Sequence, residues 1–120
     1  MATTAHPIDA SIKIPGFNKP VQLNTIVRLQ GFGNYTWLYR DALKPLLVAK
    51  SLNWFEQLLP DFVRVHKSDL INPSFVQTID SLNARTLELS LYNRQIIKVS
   101  RRRIEPVTTK LKQHRHFSPN

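Results

Sequence analysis

Ile26-Val27-Arg28-Leu29-Gln30-Gly31-Phe32-Gly33-Asn34-Tyr35-Thr36-Trp37-Leu38-Tyr39-Arg40 is the stretch that decides the fold class. Ile26–Leu29 is a β-like run, and from Tyr35 to Arg40 the rings of Tyr35, Trp37 and Tyr39 alternate with Thr36, Leu38 and Arg40. A period of two gives a strand with two distinct faces. Between the runs lie two glycines, Gly31 and Gly33, which permit positive φ and a tight reversal, so the stretch reads as a β-hairpin. The protein is therefore expected to be mainly β.

Working upstream, Val21–Leu23 reads as a strand, and Ile12-Lys13-Ile14 as a short edge strand ahead of a Pro15-Gly16 turn. Residues 1–20 are read as an N-terminal arm and 21–112 as one domain. Downstream, Asp41 starts a turn and Pro45–Lys50 reads as a further strand. Ser51 is a good N-cap, and Leu52, Phe55, Leu58 and Leu59 follow on one helical face until Pro60 stops the helix. After Phe62-Val63-Arg64-Val65 comes a polar stretch, His66–Asp69, and Pro73 argues against a long regular element there. Strand patterns resume at Phe75–Ile79, Arg85–Leu91 and Gln95–Val99, joined by links of hairpin length at Ser81–Ala84 and Tyr92–Arg94. Ile104, Val107 and Leu111 fall at helical spacing, which predicts a short helix over 105–112 with Pro106 in its first turn. Residues 113–120 read as a basic tail. The sum is a compact, predominantly antiparallel β domain with one or two short helices.

Composition narrows the function. The chain has 120 residues, 42% of them hydrophobic, which suits one core. It has no cysteine, which excludes disulfides, thiol nucleophiles and thiolate metal centres. Its longest apolar runs are far short of the ~20 residues that span a bilayer, so no membrane insertion is expected. Nothing near the start resembles a secretory signal, and a cytoplasmic location is the default expectation. The net charge of +9 points to an anionic partner. Eight of the 17 basic residues lie between Arg94 and Arg115, against a single acid, Glu105.

Catalysis finds no support. His66 beside Ser68 offers a base and a hydroxyl without a motif that would orient them, and no phosphate-cradling or dinucleotide fingerprint exists in a chain with three glycines. His114 and His116 lack a third ligand nearby, so no metal or other cofactor is implied. A more coherent set is three polar or basic segments, each attached to a β-like run: Gly31–Thr36, Arg64–Asp69 and Lys98–Arg103. Converging on one edge, they would supply cations for phosphates, hydroxyls and loop amides for phosphate oxygens, and Arg or Lys for guanine edges of duplex DNA.

Phe62-Val63-Arg64-Val65-His66-Lys67-Ser68, followed by Leu70-Ile71-Asn72, closely resembles the F-x-R-x-H-[KR]-S-x-x-x-N signature of the LytTR DNA-binding domain of bacterial transcription regulators. Asn34-Tyr35-Thr36 is similar to that family's first recognition loop. Ser51-Leu52 to Leu59-Pro60 resembles its "S-L…L-P" helix, and Ile97-Lys98-Val99-Ser100-Arg101-Arg102 resembles its closing "I-x-V-S-R-R" motif. The resemblance spans residues 21–112. It implies an elongated β–β–β sandwich of short antiparallel sheets that lies along the duplex, inserts loops into two successive major grooves and bends the DNA. By position, it implies base reading by Asn34 or Thr36, by Lys67 and by Arg101. His66, Ser68, Ser100 and Arg102 match positions that hold the sugar–phosphate backbone, and Lys98 and Arg103 join them as neighbouring cations. Before the first loop the family commonly has an acidic residue, where this chain has Arg28-Leu29-Gln30-Gly31. It also implies a target of paired repeats carrying two copies of the protein. Most relatives carry a receiver or sensor ahead of this module. With about twenty residues upstream here, the regulatory signal is expected to come from a partner protein, from expression level, or from a larger protein of which this chain is a part.

Blander readings stand beside these. Arg64 also reads as a structural partner for Asp61, Asp69 or Asp80, and His66 as a turn-fixing residue bonded to a backbone carbonyl. Tyr35, Trp37 and Tyr39 read as cross-strand packing rather than a base-stacking platform, Asn72 as an Asx turn before Pro73, and Arg103 as a solvated charge. Two other functions compete: a LytTR-like protein-interaction module with little DNA affinity, and a basic RNA-binding barrel, which lacks the expected exposed aromatic set.

Overall fold

The computed structural model describes residues 10–114. The start of the N-terminal arm and most of the basic tail, including Arg115 and His116, lie outside the described residues. Strand β1 (Ser11–Ile12) pairs antiparallel with β2 (Val21–Gln22), and Ile14 between them is buried in the core. A 3-10 turn at Leu23–Thr25 leads into β3 (Ile26–Phe32), which pairs with β4 (Tyr35–Arg40), followed by β5 (Leu43–Val48). The hairpin forms as its alternation requires, with one correction. Only Gly33 uses positive φ, at +56°, whereas Gly31 is a strand residue with a different role. A Cβ at Gly31 would stand 2.9 Å from Leu52 Cβ, so the missing side chain admits helix α1 (Leu52–Leu58) against the sheet.

Ser51 caps α1 by accepting a hydrogen bond from the Trp54 N–H at 3.2 Å. Leu52, Phe55 and Leu59 are buried, but Leu58 is exposed. At about 100° per residue it stands some 120° around the helix from Leu52, outside the buried stripe. Strand β6 (Val63–His66) turns back through Lys67-Ser68 into β7 (Asp69–Ile71). This second strand went unread in the sequence, yet it inserts between β6 and β3 to give the sheet order β5-β4-β3-β7-β6.

Asn72 makes the expected Asx turn, its Oδ1 accepting from the Ser74 N–H at 3.0 Å. Its amide also donates to the carbonyls of Leu23 (3.3 Å) and Ile26 (2.8 Å). After the 3-10 turn at Pro73–Phe75, β8 (Val76–Asn83), β9 (Thr86–Leu91) and β10 (Ile96–Val99) form a three-stranded antiparallel sheet. β8 runs through most of the expected link, leaving only Ala84-Arg85 as the turn, with Asn83 Oδ1 accepting from the Arg85 N–H. A 3-10 turn, Arg101–Arg103, enters α2 (Ile104–Gln113).

Two cores sandwich the five-stranded sheet. On one face α1 and the N-terminal strands bury Leu29, Leu38, Val48, Phe55 and Leu70. On the other, the three-stranded sheet and α2 bury Val63, Val65, Ile71, Leu89 and Leu111. Alternation along β6 divides it between them: Val63 and Val65 point to the second core, and Arg64 points to α1. The mainly β architecture of several antiparallel sheets and two short helices is as the sequence predicts. No helix among the described residues is long and apolar enough to cross a membrane.

Candidate nucleic-acid interface

Strand direction gathers distant turns at one end of the five-stranded sheet. β3 is antiparallel to β7 and β7 to β6, so β3 and β6 finish at the same end, as does β5. The Gly33-Asn34 turn, the Lys67-Ser68 turn and the Ala49–Ser51 entry to α1 therefore share a rim. Two backbone bonds tie it together. The Gly31 N–H donates to the Ser68 carbonyl at 2.9 Å, and the Ser100 N–H donates to the Val65 carbonyl at 2.9 Å, which places the Arg101–Arg103 turn beside the end of β6.

Arg64 braces this rim. Its Nε donates to the His66 carbonyl at 2.9 Å and its second terminal nitrogen donates to the Lys67 carbonyl. The remaining nitrogen meets Glu56 Oε1 at 2.6 Å and Asn53 Oδ1 at 3.0 Å, both on α1. A planar guanidinium fork suits these divergent acceptors, where one ammonium would not reach them all. The expected partners of Arg64 were Asp61, Asp69 or Asp80. The observed one is Glu56, because Asp69 is held by Arg28 at 2.8 Å. Gly31, Gly33, Ser51, Leu52, Asn53, Arg64, Lys67 and Ser68 line a groove of about 260 Å³ along the rim.

Asn34, Lys67, Arg101 and Arg102 are exposed on these turns. Thr36 is not: its side chain is fully buried and its hydroxyl donates to the Lys50 carbonyl at 2.8 Å. The strand alternation that exposes Tyr35 turns Thr36 toward the core, which corrects the expectation that Thr36 meets a base. Ser100 is corrected similarly. Its hydroxyl is buried with no hydrogen-bond partner among the described residues and its N–H donates to the Val65 carbonyl, so neither is turned outward. His66 fixes its turn in a different way from that expected: Nδ1 accepts from the Ser68 N–H at 3.3 Å and lies 3.4 Å from Ser68 Oγ. Lys98 stands opposite Glu88 in the three-stranded sheet, and neither it nor Arg101, Arg102 and Arg103 lines the groove.

Arg103 is half-buried rather than a freely solvated charge. Burial, then the nearby guanidiniums of Arg64 and Arg102, pull its pKa below the usual arginine value, against a smaller opposing effect of Glu56. Like charges crowded in this way favour an incoming anion. Lys110, by contrast, is committed to structure, with Nζ donating to the Phe62 carbonyl at 2.6 Å. Sequence reasoning missed Ser51 and Asn53 as rim residues. No local signal marks them, since they reach the groove only because β5 runs parallel to β3.

A search of curated proteins gives no match. Among solved structures the chain is similar to a LytTr DNA-binding domain from Bacillus cereus, at 25% identity and a TM-score of 0.68, covering 88% of this chain and 96% of that one. The family model described as the LytTr DNA-binding domain matches residues 18–112. A match over most of the chain, on a fold whose F-x-R-x-H turn and R-R turn meet at one rim, leads to one conclusion: the protein belongs to the LytTR DNA-binding domain family.

Proposed function

We propose that this protein is a sequence-specific, double-stranded DNA-binding transcription regulator that presents its rim turns to successive major grooves. The family is non-enzymatic, and DNA binding and transcription regulation are its general function. In this reading Asn34, Lys67 and Arg101 read bases, while His66, Ser68, Arg102 and Arg103 hold the sugar–phosphate backbone. Paired repeats bring two copies to one operator, and the signal comes from a partner protein, from expression level or from a larger protein of which this chain is a part. The observation that carries the reading is the joining of the turn after β3, the turn after β6 and the turn after β10 by the Gly31–Ser68 and Ser100–Val65 backbone bonds. Cations from residues as far apart as Lys67 and Arg101 are thereby offered to one polyanion.

The test is duplex binding by the full chain over a salt series. Neutralising about five phosphates gives a slope of log K against log[salt] of roughly −4 to −5. A duplex affinity indifferent to salt would instead favour a protein-interaction module.

A further inference from the structure

The outward face of the β3–β4 hairpin is only partly covered. Toward β6 and β7 the second core sits on it, but farther out the cross-strand pairs Arg28–Tyr39, Gln30–Trp37 and Phe32–Tyr35 run along it to the rim. The inner pairs contact one another. Arg28 lies 4.7 Å over the Tyr39 ring, Tyr39 donates its hydroxyl proton to Gln30 Oε1 at 3.2 Å, and Trp37 stacks 6.5 Å from Tyr39. The last pair is different. Phe32 is 59% exposed and Tyr35 51%, and they flank the Gly33-Asn34 turn on both sides.

The geometry points to the Phe32–Tyr35 ring pair as a further sequence-reading element, one that packs against thymine methyl groups in the major groove beside the base that Asn34 reaches. The inference rests on the DNA-binding reading above and adds a base class to it. Phenylalanine has no donor or acceptor, and the thymine C5-methyl is the apolar feature of the major-groove base edges. The surroundings decide the occupant. The rim turns carry Lys67, Arg101 and Arg102 exposed, while the carboxylate of Asp69, across from Gln30 on β3, is paired with Arg28 at 2.8 Å. A second copy seated on the same patch would bring like charges face to face, whereas a duplex brings phosphates.

The experiment uses the full chain and duplexes recovered with it from a random library, resynthesised with deoxyuridine replacing one thymine at a time. Removing a contacted methyl should weaken binding about fourfold, the loss of one buried methyl-sized group. Phe32→Ala and Tyr35→Ser should each weaken binding to the thymine duplex and abolish its preference over deoxyuridine, while Phe32→Leu retains that preference. Thermal unfolding of each variant checks that the fold persists. Wild-type indifference to deoxyuridine at every position would overturn the inference and leave the DNA-binding reading standing. So would variants that keep the preference, or that change only the oligomeric state in sedimentation, which would mark the pair as a contact between copies. Recovery of no duplex at all would overturn both.

Discussion

Replacing Arg64 by alanine is the sharpest perturbation of the rim. The side chain is 13% exposed and its fork holds two turn carbonyls, His66 and Lys67, as well as Asn53 and Glu56 on α1. Charge-assisted bonds to the two carbonyls contribute about 1.5 kcal/mol each. The ion pair adds less than ~1 kcal/mol, because Glu56 is 43% exposed and solvent screens it. A loss of about 3 kcal/mol in unfolding free energy is expected from urea denaturation. The Lys67-Ser68 turn, unbraced, should then lose its fixed geometry. Affinity for a selected duplex should fall by more than tenfold and affinity for random duplex by only a few-fold, measured by fluorescence anisotropy at matched salt. Arg64→Lys keeps the charge but not the fork, and should recover random binding while leaving selected binding impaired. A variant whose stability falls but whose ratio of selected to random affinity is unchanged would refute the bracing role. A stability unchanged within error would refute the energetic argument itself.

Asn72→Ala should cost about 2–4 kcal/mol in denaturant unfolding, because the Leu23 and Ile26 carbonyls and the Ser74 N–H lose their shared partner. Gly31→Ala forces a methyl to within 2.9 Å of Leu52 Cβ, and the melting temperature should fall by several degrees, on the order of 1–3 kcal/mol. Arg103 carries a depressed pKa, which means the folded state disfavours its charge. Arg103→Gln should therefore melt no lower than wild type at low salt, with any gain shrinking as salt rises, while duplex affinity drops. Ala42 has φ of 58° in the β4–β5 turn, so Ala42→Gly should relieve strain and leave stability equal or up to about 1 kcal/mol higher, read from unfolding midpoints.

Much of the local structure was legible in the order of residues. The alternation of Tyr35–Arg40, the Ser51 cap, the Asx turn at Asn72 and the short C-terminal helix each depend on neighbours within a few positions, where periodicity and turn chemistry act directly. The candidate site was legible in its cationic turns and its signature motif. It was not legible in which hydroxyls face outward. Thr36 looked like a surface residue of a recognition loop, but it occupies the inward phase of β4, and only the pairing of Leu38 with Leu29 shows which phase is inward. β7 was missed because three residues show no period, and Leu70 and Ile71 serve opposite cores.

By itself the sequence determined a basic, cysteine-free, mainly β domain with its cations concentrated beside strand ends, and it carried a motif specific enough to name a family. The tertiary structure decided which charges are spent on structure and which remain for a ligand. Arg28 finds Asp69 across 41 positions, Lys110 finds the Phe62 carbonyl across 48, and Arg64 turns to α1 instead of to a nearby aspartate. Such choices follow from strand order and from the face each residue occupies, and these are fixed only when non-local strands pair and bury their apolar sides.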